Sequence, residues 1–256
     1  MDLKVRNKVA LVTGASSGLG KGCALALAAE GARVAIAARR RDELELVAAQ
    51  ARERGAPDAR AFTVDLTDTR SIDVLVRDVR EAFGTVDILI ANGGGPKPGS
   101  FTQTSPDDWD AAYRGVLRSM LQLIDGVLPG MRERHWGRII ALTSTSVKQP
   151  IPTLVLSNMF RTALISGLKT LSGEVAGDGV TVNAIATGRI ETDRLRSLYS
   201  GDRAELERAG KEVPIGRIAQ IDEFAPLVVF LASEQARYIT GQTIAIDGGL
   251  IAGLFG

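Results

Sequence analysis

An open, mostly parallel α/β sheet with helices on both faces is what this 256-residue sequence predicts. Three observations predict it. Short apolar runs alternate with helix-prone segments nearly end to end. The run Val86 to Ala91 is fully apolar after Asp87, as expected of a strand covered on both faces. A glycine turn, Thr13-Gly14-Ala15-Ser16-Ser17-Gly18-Leu19-Gly20, joins the first apolar run to an alanine-rich helical stretch. Repeated βα units joined by right-handed crossovers build a doubly wound sheet, with ligands at the C-terminal strand ends.

Each element follows from a local signal. Val9 to Val12 is the first strand, and Lys21 to Gly31 the first helix. Arg33 to Ala38 is the second strand. Asp42 to Arg54 is a helix with Leu44, Val47, Ala48 and Ala51 near helical spacing, ended by Gly55-Ala56-Pro57-Asp58. Ala59 to Val64 is the third strand. Thr69 to Phe83 carries Ile72, Leu75, Val76, Val79 and Phe83 on one helical stripe. Val86 to Ala91 is the fourth strand, followed by the glycine-rich loop Asn92 to Gly99. Ser105-Pro106-Asp107-Asp108 starts a helix, with a capping serine, a first-turn proline and an acid three residues on. That helix is expected to run to about Leu128. Arg138 to Leu142 is the fifth strand, Leu154 to Val175 a helix, and Val180 to Ala186 the sixth strand. Arg189 to Val213 is charged and poorly periodic; Arg189, Arg194 and Arg196 could favour an acidic substrate, with a solvated charged segment the better account. Ile221 to Ala232 is the last helix and Thr243 to Ile246 the last strand.

Composition narrows the function. A hydrophobic content of 45% supports one sizeable core, and the absence of repeats or a low-complexity linker favours a single domain over 1–256. The net charge of +1 provides no strong field for nucleic acid or an anionic membrane. The N-terminus lacks an apolar signal core, and no apolar run is long enough to span a bilayer. One cysteine, Cys23, fits a reducing compartment, so a cytoplasmic chain is expected; Cys23 is read as an apolar packing residue of the first helix. With a single histidine, His135, no metal site is expected.

Four strand ends suit one extended dinucleotide. At the glycine turn, backbone N–H groups and a helix N-terminus face a diphosphate, which makes Gly14, Ser16, Ser17, Gly18, Leu19 and Gly20 the first candidates. Glycine there serves turning, close approach or close packing. After the second strand stands Ala38-Arg39-Arg40-Arg41. An acid would accept from a ribose 2′-hydroxyl; Arg39 and Arg40 suit a 2′-phosphate instead, so NADP(H) is favoured over NAD(H). Asp65 is placed to accept from an adenine amino group, with Leu66 covering the ring; a helix-capping aspartate is nearly as good an account. Asn92, Gly93 and Gly94 let a cofactor lie against the backbone.

These residues resemble the short-chain dehydrogenase/reductase family from Lys4 to Gly249. The motifs are Thr13-Gly14-x3-Gly18-x-Gly20, Asp65-Leu66, Ala91-Asn92-Gly93-Gly94, Trp109, Gly137-Arg138-Ile139-Ile140, Val182-Asn183-Ala184, Thr187-Gly188-x3-Thr192, Ile239-Thr240-Gly241-Gln242 and Asp247-Gly248-Gly249. The resemblance implies a Rossmann-type fold, a nicotinamide cofactor also touched by Gly188, Ile190 and Thr192, and a substrate lid at 189–213. It further implies a homo-oligomer, often a tetramer, for which Ile244 to Phe255 is apolar enough to serve as interface or as core.

The family's chemistry uses a tyrosine, a lysine four residues later on the same helical face, a preceding serine and an asparagine on the fourth helix. The lysine charge lowers the phenol pKa, and the phenol exchanges a proton with substrate. Here Ser144 fits the serine. Ser157 stands at the tyrosine position, Arg161 at the lysine position and Val116 at the asparagine position. Downstream matching needs no gap, and no Tyr-x3-Lys occurs in the chain. A phenol of pKa ~10 can be tuned toward neutrality; an aliphatic hydroxyl cannot. Arg161 stays protonated and cannot relay protons as lysine does, but it can hold an anion. Ser144 and Ser157 remain as two neutral donors. As substitute acids, Tyr113 is read as a core or interface residue, Tyr199 as a surface residue, and Lys148 as part of a loop; His135 is read as structural or exposed. The expected function is an NADP(H)-dependent oxidoreductase with an atypical site. The alternatives are a cofactor-binding protein without catalysis and non-redox chemistry in the same pocket.

Overall fold

A computed structural model describes residues 2–254. It contains a seven-stranded, all-parallel sheet in the order β3-β2-β1-β4-β5-β6-β7. The strands are β1 (Val9–Thr13), β2 (Arg33–Ala38), β3 (Ala59–Thr63), β4 (Ile88–Ala91), β5 (Gly137–Leu142), β6 (Val180–Thr187) and β7 (Thr243–Ile246). Between them run α1 (Gly18–Ala29), α2 (Arg41–Glu53), α3 (Thr69–Phe83), α4 (Pro106–Ala112), α5 (Ser119–Glu133), α6 (Val155–Val175), α7 (Asp193–Leu198), α8 (Arg203–Lys211) and α9 (Ile221–Leu231).

Strand alternation divides the core in two. Ala10 and Val12 of β1 face a cluster with Leu27 of α1, Leu44 of α2 and Phe224 of α9. Val9 and Leu11 face the other side, with Leu75 of α3, Leu123 of α5 and Leu164 of α6. Buried on both faces, central strands such as β1 and β4 lack a polar period and read as apolar runs, whereas edge strand β3 is partly exposed. The chain builds β1 to β3 toward one edge, then returns to set β4 on the other side of β1. That reversal opens a crevice above the C-terminal ends of β1 and β4.

Several boundaries differ from expectation for physical reasons. β4 starts at Ile88 because Asp87 is an anchor: its Oδ2 accepts from the Val9 N–H at 2.9 Å, and Arg134 lies 3.6 Å away. The helix expected to end near Leu128 continues through Pro129 to Glu133, with a widened π-helical turn at Tyr113–Arg118 between α4 and α5. Such a turn inserts one residue into the helical period. Its start is capped as expected, by reciprocal Ser105 and Asp108 bonds. The charged segment 189–213 folds into α7 and α8, capped by Thr192 and Asp202. Lys148 lies in the loop before α6, as expected, directly after a short 3₁₀ turn at Thr145–Val147. His135 is exposed with φ 50°, and Cys23 is buried within α1, where burial pushes its thiol up to about 12. Ile244 and Ile246 pack on the core while Leu254 is exposed; Phe255 lies outside the described residues. No described helix is long and apolar enough to cross a membrane.

Candidate functional site

The crevice begins where β1 and β4 end side by side. Thr13 Oγ1 donates to the Asn92 carbonyl at 2.7 Å and accepts from the Asn92 N–H at 3.0 Å. Asn92 Nδ2 donates to the Thr13 and Gly14 carbonyls at 3.3 and 3.2 Å. These bonds fix the turn against the second loop. Gly14 has φ 58°, and a Cβ there would lie 2.8 Å from Asn92 Nδ2. Glycine is therefore required twice over, by conformation and by contact.

From this seam a crevice of about 700 Å³ extends along the strand ends, within the range of sites for sizeable ligands. Gly14, Ser16, Ser17, Gly18, Leu19, Arg39, Arg40, Asp65, Leu66, Asn92, Gly93, Gly94, Gly188, Ile190 and Thr192 all line it, as do Ser144, Ser157 and Arg161. Gly20 is the exception among the expected residues. A Cβ there would meet the Gly14 carbonyl oxygen at 2.3 Å, so Gly20 supports the turn by close packing and does not line the crevice.

At one end, the three consecutive arginines separate. Arg40 Nη2 donates to the Ser16 and Ser17 hydroxyls at 3.0 and 3.1 Å, and its Nε lies 2.6 Å from Glu43. Arg39 lines the same wall. Arg41 instead pairs with Glu45 along α2. Asp65 Oδ1 accepts from the Thr67 N–H and Oγ1 at 2.9 and 2.8 Å, an Asx turn rather than a helix cap; Asp68 caps α3. Those bonds, with the charge of Arg39, hold Asp65 below the usual carboxylate range.

At the other end, hydroxyls and guanidinium groups gather. Ser144, at the end of β5, accepts from the Ser146 N–H at 3.1 Å. Ser157, in the first turn of α6, is buried with its Oγ 3.2 Å from Ser146 Oγ. Asn158 clamps the start of α6 by accepting from the Ile151 N–H and donating to the Ile151 carbonyl. One helical turn beyond Ser157, Arg161 Nη1 donates to the Leu142 carbonyl at 2.9 Å. Burial, then the charge of Arg194, push Arg161 down to about 10, which leaves it a cation at neutral pH. Val116, on the widened turn, is buried and completes the wall.

Lys97, Asp108 and Asp193, which also line the crevice, are held in ion pairs. No tyrosine, histidine or cysteine lines the crevice among the described residues. Tyr113 is exposed and packs on Phe160, with ring centroids 6.3 Å apart. Two features escaped the sequence, and the preferred reading of a third is corrected. Arg194, a candidate for an acidic substrate that the sequence places by preference in a solvated segment, lines the crevice and donates to the Pro96 carbonyl at 2.7 Å. Thr187 Oγ1 is buried without a partner among the described residues, in the same wall. Ser146 lies beneath Ser157. Only Arg194 had a visible signal, the third glycine of the Asn92 loop, against which its guanidinium packs.

A parallel sheet with a glycine turn at its switch point and a long crevice above it defines a Rossmann-type α/β protein. The family model described as Enoyl-(Acyl carrier protein) reductase matches residues 14–251. The chain is 34% identical over 248 residues to the 3-oxoacyl-[acyl-carrier-protein] reductase FabG of Salmonella typhimurium, covering 97% of this chain and 99% of that one. L-sorbose reductase from Gluconobacter frateurii, solved with NADPH and L-sorbose, superposes with a TM-score of 0.94 at 32% identity, covering 99% and 100% of the two chains. A single-residue variant of the actinorhodin polyketide ketoreductase, solved with NADPH, gives 0.90 at 34% identity, covering 95% and 97%. This chain belongs to the short-chain dehydrogenase/reductase family of oxidoreductases.

Proposed function

We propose that the chain is an NADP(H)-dependent oxidoreductase of a carbonyl or hydroxyl compound, working without the family's phenol and lysine. The observation that carries this reading is the continuity of the crevice from Arg40, Ser16 and Ser17 to Ser144, Ser157 and Arg161. The residues fit the cofactor. Gly14 and Gly18, at φ 58° and 55°, leave a glycine-lined turn at a helix N-terminus for the diphosphate. Arg39 and Arg40 supply charge for a 2′-phosphate, and Asp65 with Leu66 an adenine pocket. Gly188, Ile190 and Thr192 line the nicotinamide end. The NADPH held by two similar reductases agrees with this assignment.

When bound, the cofactor supplies or accepts a hydride. The chain's own residues orient the substrate oxygen. Because Ser144 Oγ accepts from the Ser146 N–H, its own proton is free to point outward toward that oxygen. Ser157 shares its hydroxyl with Ser146 across 3.2 Å, a contact in which either oxygen can donate. Arg161, protonated and tied to the Leu142 carbonyl, stabilises negative charge on the oxygen without giving up its proton. The proton comes from water, and turnover is slow by the standards of a tuned phenol.

The α4–α6 side exposes Tyr113, Leu121 and Met159, an apolar face suited to a homo-oligomer, a tetramer on the family resemblance. A second reading, cofactor binding without catalysis, is favoured by one observation, the absence of a titratable phenol, imidazole or thiol from the crevice lining among the described residues. NADPH oxidation across aldehydes, ketones, quinones and imines separates the two. Measurable oxidation supports the oxidoreductase; tight NADPH binding with no oxidation on the whole panel supports the second reading.

A further inference from the structure

Resting on the oxidoreductase reading, we infer that the substrate carries a carboxylate, gripped in the crevice by Arg194 with Arg161 as the second cation.

Charge at the substrate end is unbalanced. Three carboxylates line the crevice, and each has a partner elsewhere. Asp65 is bonded to Thr67 at the far end. Asp108 lies 3.0 Å from Lys97 and caps α4 with Ser105. Asp193 lies 3.2 Å from Arg196. Among the described residues, Arg161 and Arg194 have no carboxylate partner; their recorded acceptors are the carbonyls of Leu142 and Pro96. Each guanidinium has five N–H donors, so most remain for a ligand. The two cations face the same crevice, and burial, then the charge of Arg194, lower the pKa of Arg161. Such a pair is held at a cost in repulsion, and an anion between them relieves it.

The arrangement of Arg194 is built by its surroundings. Its Nε would lie 2.6 Å, and its Nη2 2.7 Å, from a Cβ at Gly95, so only glycine lets the guanidinium lie against that loop. The Pro96 carbonyl then fixes one edge of the plane at 2.7 Å. A planar, positioned guanidinium favours a carboxylate, which accepts two parallel N–H bonds. Thus the loop after β4 is shaped at Asn92 to Gly94 for one ligand and at Gly95 for a second residue, Arg194, that meets the substrate.

The test compares acids with neutral isosteres. Isothermal titration of the apo and NADP⁺-loaded protein with pyruvate against pyruvamide, and benzoylformate against benzoylformamide, reads the preference directly. The acid is expected to bind tighter by roughly tenfold or more, as for a charge-assisted bidentate pair. Arg194→Met is expected to erase that preference, while Gly95→Ala, which displaces the guanidinium, and Arg194→Lys keep part of it. Thermal melting confirms that each variant is folded. Equal binding of acid and amide, including no binding of either, overturns the inference, as does a preference that survives in Arg194→Met. A separate NADPH titration of the same proteins reads the cofactor assignment. Its failure counts against the proposed function, and absence of an acid preference in the natural chain with NADPH binding intact counts against the carboxylate alone.

Discussion

The hydroxyl of Ser157 lies 3.2 Å from that of Ser146, so the residue at the family's tyrosine position is tied to the protein beneath it. Ser144, by contrast, uses its oxygen as an acceptor and keeps its proton free. The two serines differ in setting: Ser144 accepts from a backbone N–H, while Ser157 is buried against a second hydroxyl. Ser144→Ala should lower turnover by roughly tenfold or more with NADPH affinity unchanged, on the scale of losing one neutral donor. Ser157→Ala should act mainly on stability, by about 1 kcal/mol, because it leaves Ser146 without its partner. Steady-state kinetics and urea unfolding of both variants read the difference.

Restoring the phenol is the complementary change. Ser157→Tyr with Arg161→Lys should raise ketone reduction above the natural chain, because a lysine beside a phenol lowers its pKa toward neutrality. The pH dependence of turnover should then acquire an ionisation that the natural chain lacks. Equal activity and an unchanged profile in a folded, NADPH-binding variant would sink this expectation.

Arg40 is shared between two roles. Its Nε lies 2.6 Å from Glu43 while its Nη2 reaches Ser16 and Ser17. Arg40→Ala should weaken NADPH by roughly tenfold and leave NADH nearly unchanged. Glu43→Gln should strengthen NADPH by freeing the guanidinium. Both effects should shrink in high salt, because the groups are exposed.

Gly20 tests the turn itself. A Cβ there would stand 2.3 Å from the Gly14 carbonyl oxygen, a backbone atom that cannot swing aside. Gly20→Ala should cost on the order of 2 kcal/mol of stability by overpacking and weaken cofactor binding through the displaced turn. Urea midpoints with and without NADPH separate the two losses.

Cys23 reports on opening of α1. Its thiol is pushed up to about 12 by burial, above the unfolded value near 9.0. A raised folded pKa stabilises the fold fully below the unfolded value, and the contribution is lost as pH rises from about 9 through 12. A thiol reagent at neutral pH should label the native protein only at the rate of opening, and labelling should become rapid in denaturant. Fast stoichiometric labelling of the native chain would contradict this burial.

Much of the fold was legible because it rests on period and punctuation. Strands such as β2 (Arg33–Ala38) coincide with the apolar runs, since burial on both faces leaves only apolar residues after Arg33. The glycine turn announced itself because no side chain fits at Gly14 or Gly20. The widened turn at Tyr113–Arg118 was not legible, since one inserted residue leaves the flanking helical pattern intact. α7 and α8 were hidden by their charge: ion pairs such as Arg196 with Glu191 sit on exposed faces and carry no apolar stripe. The same charge hid which of Arg189, Arg194 and Arg196 lines the crevice. Nothing in the segment marks Arg194 among them, and Gly95 gained meaning only once the two were seen in contact.

The most direct test is an equilibrium fluorescence titration of the purified chain with NADPH and with NADH. The crevice lined by Gly14, Ser16, Ser17, Arg39 and Arg40 predicts saturable binding of both, with NADPH tighter by roughly tenfold or more. Equal affinities, a preference for NADH, or no saturable binding of either would contradict it.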